Sequence, residues 1–452
     1  MKKRSQIPQQ YRWIVENLYK NEKIWKKDYQ YLKDNVEKIL QFKEKLNSAE
    51  VLKEFFSFTE TYERMLEKVY TYSHLRHDED TSNSISKAHY QSAQNLFYRY
   101  SELAAFVSPE LLALSEEKIH ELMTSPILEL YHHHLEQIFR SKPHILSQSE
   151  ETLLSLSQRA LSTGSASFSA LNNADLKFGI VLHKKKKFPL THASYLNYLS
   201  NPDRELRRKT FIQYHYEFKA HENTIASLLS GQVRASTFNA RARKFESALH
   251  QALYPKNIDV VVYHRLIEAV HKGIKSLHQY YKIKKKALKL KEFHLYDQYV
   301  PIVPKFNKKY SYDTAKKLVI ESTAPLGKEY QNFLSKGLES GWVDVYESEN
   351  KRNGAYSSGC YDSMPYILMN YNNELNAVFT LAHEAGHSMH SLLSRRHQPY
   401  IYSDYSIFVA EVASTFNEEM LYDYLLERAD SQQEELYLLD SQINAIKGTL
   451  FR

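Results

Sequence analysis

The chain has 452 residues with only 11 glycines and 12 prolines, under half the combined share of an average globular chain. All-β architectures, which need a turn signal about every 8–12 residues, are excluded on that ground, and a composition 42% apolar and 25% charged excludes wholesale disorder. The net charge of +7 is spread along the chain with acidic residues interleaved, so nucleic acid is not an expected partner.

The start, Met1 to Gln10, is basic but leads into Tyr11-Arg-Trp-Ile-Val-Glu rather than an apolar stretch, so no secretory signal is read there. No window holds 18 uncharged apolar residues, and no membrane span is expected. The single cysteine, Cys360, cannot form an intrachain bridge and fits a cytoplasmic protein.

In chain order, the first 180 residues read as amphipathic helices. Val36, Ile39, Leu40 and Phe42 begin one apolar face, and Leu52, Phe55, Phe56 and Phe58 another, at spacings of three and four. Ser108-Pro109, Ser125-Pro126 and Ser147-x-Ser149-Glu150 read as helix starts. The stretch 162–167, Ser-Thr-Gly-Ser-Ala-Ser, is expected to be loose, and two short strands are expected at 175–183 and 188–191 around Lys184–Lys187.

A boundary is placed near residue 195, dividing a helical domain with a terminal hairpin (1–195) from a second domain (196–452). Helices resume from residue 201, and Lys282–Lys291 reads as a solvated helix face. Strands are expected at 295–303, 341–346 and 355–367, followed by two strong helices at 375–393 and 405–426 joined through Pro399. The predicted architecture is mainly α, with a small β-sheet beside the last two helices.

The chemistry concentrates in Leu381-Ala-His-Glu-Ala-Gly-His-Ser-Met-His390. On a helix, residues four apart lie one turn above each other, so His383 and His387 project from one face and can share a cation. Glu384 lies beside them, where its carboxylate can take a proton from a metal-bound water. A catalytic zinc centre needs a third protein ligand. If the helix ends near Arg395-Arg396, an outward run of about 12 Å and a return of about 9 Å bring Glu411 nearly level with His387. Glu411 sits among Val409, Ala410, Val412 and Ala413, where a lone carboxylate needs a partner. Glu418, two turns on along the same face, is the alternative ligand; Ser414 and Thr415 are placed to orient Glu411. Gly386 allows another backbone or a substrate to come close. His390 is a substrate contact or a packed histidine, and the strand beginning Gly354-Ala355-Tyr356 can pair with an extended peptide through its main chain.

His383–Ser391 and Phe408–Glu418, with 353–359 and 365–371 upstream, closely resemble the oligoendopeptidase F branch of the thimet-type zinc oligopeptidases. The resemblance implies one zinc per chain held by His383, His387 and Glu411, with Glu384 as general base and later proton donor. It implies a zincin-type, two-lobed helical body that cleaves internal bonds of short unstructured peptides and excludes folded proteins. Oligomeric state is not implied. Members of that family continue further, through a segment carrying a His and Tyr residues that bind substrate and help stabilise the oxyanion. This sequence lacks that segment, and the loss of such donors typically costs on the order of 10²–10³ in turnover. The alternative expectation is therefore a catalytically weak or inactive, C-terminally truncated homologue that acts at most as a peptide-binding scaffold.

Overall fold

The structure, a computed structural model, describes residues 2–303 and 308–451. It is mainly helical with two small sheets, and among the described residues no helix is long and apolar enough to cross a membrane. The chain packs as two units, one formed by Met1–Arg140 with Asn307–Ala429 and the other by Ser141–Phe306 with Asp430–Arg452. Residue 195 falls inside the second unit, and the first unit draws together the beginning of the chain and the motif-bearing segment.

The first unit is organised on the 31-residue helix Ala49–Glu79. Ser48 caps it by accepting the Val51 amide at 3.3 Å. Its buried face carries Leu52, Phe55, Phe56, Tyr62, Leu66, Val69, Tyr72 and Leu75, each worth about 1.5–3 kcal/mol when fully removed from water. Trp25 packs on this face and donates its indole N–H to the Val69 carbonyl at 2.9 Å. Val36–Phe42 is a 3₁₀ turn rather than an α-helix. Its buried residues Val36, Ile39 and Phe42 recur every three positions, which is the 3₁₀ period, and Leu40 is exposed.

The same unit holds a three-stranded sheet whose central strand is the last of the three in the sequence. β3 (Val343–Asp344) runs parallel to β5 (Tyr366–Leu368), and β4 (Tyr356–Ser358) pairs antiparallel with β5, Ser357 opposite Ile367. All of β5 is buried, as befits a central strand. Beside it, the buried Lys351 ammonium donates to the carbonyls of Asp344, Tyr346 and Met369 and pairs with the Asp344 carboxylate at 2.8 Å.

The second unit contains the hairpin of β1 (Ile180–His183) and β2 (Lys186–Pro189). Its two-residue turn places Lys184 and Lys185 at positive φ, the twist that a tight hairpin needs. Three sequence expectations change here. The stretch 162–167 lies largely within the helix Thr163–Ala170, where Gly164 comes close to the helix Glu222–Ala242, its Cβ position 3.4 Å from the Leu228 carbonyl. The stretch 295–303 forms no strand but a 3₁₀ turn at Leu295–Asp297. There Asp297 is fully buried, accepts the His294 amide at 3.0 Å and pairs with Arg204 and Arg207. Finally, Lys284 is not part of a solvated face. It is buried and donates to the Gln298 carbonyl at 2.8 Å, and burial brings its pKa down to about 8.

Candidate metal centre

The helix Leu375–His397 carries the His-Glu-x-x-His motif, and its last turn holds Arg395, Arg396 and His397, cations that suit the negative end of a helix. A connection containing the short turn Tyr400–Tyr402 leads back into the helix Ile407–Leu426. The two helices cross at Gly386. A Cβ there would stand 2.8 Å from the Ala413 carbonyl oxygen, the Ser414 Cα and the Asn417 amide nitrogen. Only a glycine permits this approach, and the close neighbour is backbone, one of the two options its position in the motif left open.

Because the helices cross there, Glu411 reaches the two histidines. His383 Nε2 and His387 Nε2 are 3.1 Å apart, and Glu411 Oε2 lies 3.5 Å from the first and 3.6 Å from the second. Zinc bonds of 2.0–2.2 Å in a tetrahedron separate neighbouring donor atoms by about 3.3–3.6 Å. The observed triangle is close to one face of such a tetrahedron, so the residues fit a divalent cation with a fourth position open. Among the described residues this is the one group of three His, Cys, Asp or Glu side chains placed to do so.

Glu418 stands elsewhere: its Oε1 is 2.6 Å from His383 Nδ1, on the far side of the ring from the triangle. Ser414, fully buried, donates to Glu411 Oε2 at 2.9 Å, whereas the Thr415 hydroxyl goes to the Glu411 backbone carbonyl. The bond to Glu418 raises the His383 pKa against the effect of burial, while burial and the neighbouring His383 lower that of His387.

Glu384 is buried next to the triangle, and burial raises its carboxyl above the ordinary glutamate range, opposed by His383 and by a hydrogen bond from the Ser357 backbone N–H. That bond ties the general-base candidate to β4, and the 2.8 Å contact between the Ser357 and Ser388 hydroxyls ties the motif-bearing helix to the same strand. Neither serine stood out in the sequence, since nothing in a Ser-Ser-Gly stretch marks which amide faces a carboxylate.

β4 is an edge strand, so one side of its main chain is free of strand partners. Gly354, at φ +88°, turns the chain into it, and its carbonyl accepts the Asn370 side-chain amide at 2.9 Å. Ala355 follows, half-buried. The Tyr356 hydroxyl donates to Asp78 at 2.7 Å and its ring packs against the core. What the 354–356 segment can offer a ligand is therefore main chain. His390 stacks on Tyr405 with ring centroids 3.7 Å apart, its Nδ1 buried without a hydrogen-bond partner, and it is outside the donor triangle. Past β4, Gly359 and Tyr361 line a cavity of about 680 Å³ together with Ser391 and Tyr405.

Residues 197–452 match peptidase family M3, and residues 110–178 match Oligopeptidase F. Oligopeptidase PepF of Bacillus subtilis is 40% identical over 452 residues, which span 99% of this chain and 68% of that protein. Group B oligopeptidase PepB of Streptococcus agalactiae is 34% identical, spanning 99% and 75%. A crystal structure from Chlamydophila abortus superimposes with a TM-score of 0.95 at 38% identity, covering 100% of this chain and 76% of the other. The oligoendopeptidase-F from Enterococcus faecium gives a TM-score of 0.62 at 28% identity, covering 96% and 73%.

Proposed function

The chain belongs to peptidase family M3, and from that premise we propose that it is a cytoplasmic zinc-dependent endopeptidase that hydrolyses internal bonds of short, unstructured peptides. The observation that carries this reading is the donor triangle of 3.1, 3.5 and 3.6 Å formed by His383, His387 and Glu411. Bound there, one zinc ion supplies Lewis-acid polarisation of the scissile carbonyl and a water acidified to a pKa of about 7.

The chain's own residues account for the rest. Glu384 accepts the proton of the attacking water and passes it to the leaving amine, a transfer worth typically about 10²–10⁴ in rate. The outer edge of β4, with the residues 354–355 that lead into it, aligns the peptide through the main-chain groups that Glu384 and Asn370 do not already occupy. Recognition through the backbone favours extended, unfolded substrates of varied sequence. His390, a turn beyond His387 and stacked on Tyr405, is a substrate contact.

Incubating the zinc-loaded protein with an internally quenched peptide tests the reading. Zinc-dependent cleavage at an internal bond, lost in Glu384→Gln, supports it. Stoichiometric zinc with no cleavage would favour the peptide-binding scaffold instead, and no zinc at all would remove the zinc-peptidase reading.

A further inference from the structure

Two carboxylates on one face of the helix Ile407–Leu426 reach the same imidazole from opposite sides. Glu411 Oε2 lies 3.5 Å from His383 Nε2, and Glu418 Oε1 lies 2.6 Å from His383 Nδ1. We infer that Glu418 is the positioning residue of the metal centre, fixing the tautomer and the ring plane of His383 so that its Nε2 lone pair meets those of the other two donors. This inference rests on the zinc reading above.

The argument follows from imidazole chemistry. A neutral ring carries one proton, and whichever nitrogen holds it cannot bind a metal. A carboxylate accepts only, so a 2.6 Å contact at Nδ1 assigns the proton to that nitrogen and leaves Nε2 bare. The contact also locks the ring's rotation, since the pairing orients the imidazole plane from the side opposite the metal. Partial negative charge passed through the ring strengthens Nε2 as a donor.

The geometry also separates the roles of the two glutamates. Glu411 and Glu418 are seven residues apart, about 10 Å along the helix axis, and His383 sits between the tips of their side chains. Glu411 has Ser414 on its Oε2 and closes the triangle. Glu418 is on the wrong nitrogen to be a ligand and on the right one to orient the ring. Its side chain is about one-third exposed, so this is not a core residue whose loss would collapse the helix.

The test is zinc affinity measured by competition with a chromophoric chelator, together with the visible spectrum of the cobalt-substituted protein. It uses wild type, Glu418→Gln, Glu418→Ala and Glu418→Asp. Removing an outer carboxylate partner of a ligating histidine typically weakens metal binding about 10–100-fold. Glu418→Ala is expected to lose that factor and to shift the cobalt bands, as the ring is released. Glu418→Gln keeps the size and an acceptor oxygen and is expected to fall between wild type and Ala, with an unchanged urea midpoint for the metal-free protein.

Wild-type affinity in Glu418→Ala, within about twofold and with unaltered cobalt bands, would overturn the inference while leaving the three-ligand reading intact. Failure of the wild type to bind zinc would defeat that reading instead. If the alanine variant does not fold, the glutamine variant decides, and equal affinity in it and wild type counts against the inference.

Discussion

Gly386→Ala adds one methyl group at the point where the two site-bearing helices cross. Its Cβ would meet three atoms of the facing helix at 2.8 Å, two of them main chain, the Ala413 oxygen and the Ser414 Cα. Ordinary van der Waals contact begins near 3.4 Å, so the helices must part by about 0.6 Å, since backbone cannot rotate aside as a side chain would. Glu411 leaves that facing helix two residues before Ala413. The same displacement carries its carboxylate from 3.5 and 3.6 Å to about 4 Å from the two imidazole nitrogens, beyond the edge of a zinc tetrahedron. The expected cost is about 1–3 kcal/mol of stability from overpacking and a zinc affinity lower by on the order of tenfold or more. Urea unfolding of the metal-free protein gives the first quantity, with an unchanged m-value showing that only stability moved. Chelator competition gives the second. A variant that keeps its unfolding free energy within about 0.5 kcal/mol of wild type and binds zinc as wild type does would refute the argument that this crossing sets the site.

Glu384→Gln removes the proton acceptor without touching the three donor atoms. Turnover should drop by at least about 10²-fold with zinc content unchanged; parallel loss of zinc would mean that Glu384 acts as a ligand. Lys351→Ala strips the buried Asp344 of one of its two cations, the other being Arg4, and three carbonyls of their donor, and should destabilise the protein by up to about 3–5 kcal/mol in urea at pH 7. Burial alone would raise the Asp344 carboxyl, but Lys351 and Arg4 outweigh it and hold it below the ordinary aspartate range. Its contribution is thus complete above the unfolded value near 3.9 and is lost as the pH falls through the lower folded value. In Lys351→Ala the urea midpoint should therefore fall less steeply below about pH 4, and a curve parallel to wild type would count against that assignment. Peptides bearing a single N-methyl amide next to the scissile bond lose a main-chain donor and should show a raised KM at the position that faces β4. Uniform tolerance of N-methylation would exclude strand pairing.

The site was legible because its geometry is local. The four-residue spacing of His383 and His387, and a return of known rise per residue to Glu411, need only helix arithmetic, and the helices run Leu375–His397 and Ile407–Leu426 against the anticipated 375–393 and 405–426. The sequence left Glu411 and Glu418 both open, because a helix face cannot say which ring nitrogen each carboxylate will meet. Gly386 was legible as a close approach, and the crossing supplied the partner.

What failed depends on distant chain. The apolar alternation of 295–303 looks like a strand, but Asp297 is drawn into a turn by Arg204 and Arg207, some ninety residues away. Lys284 looks like one more exposed base in a basic run, yet the Gln298 carbonyl holds it buried. The serine- and alanine-rich stretch at 162–167 has loop composition, yet it is helical, and Gly164 lets a second helix come close.

Anomalous diffraction at the zinc edge from crystals of the zinc-loaded protein tests the central claim most directly. One strong peak per chain is predicted, about 2 Å from His383 Nε2, His387 Nε2 and Glu411 Oε2, with Glu418 still on His383 Nδ1. A peak bonded to Glu418 in place of Glu411, or no peak between the two helices, would contradict the account.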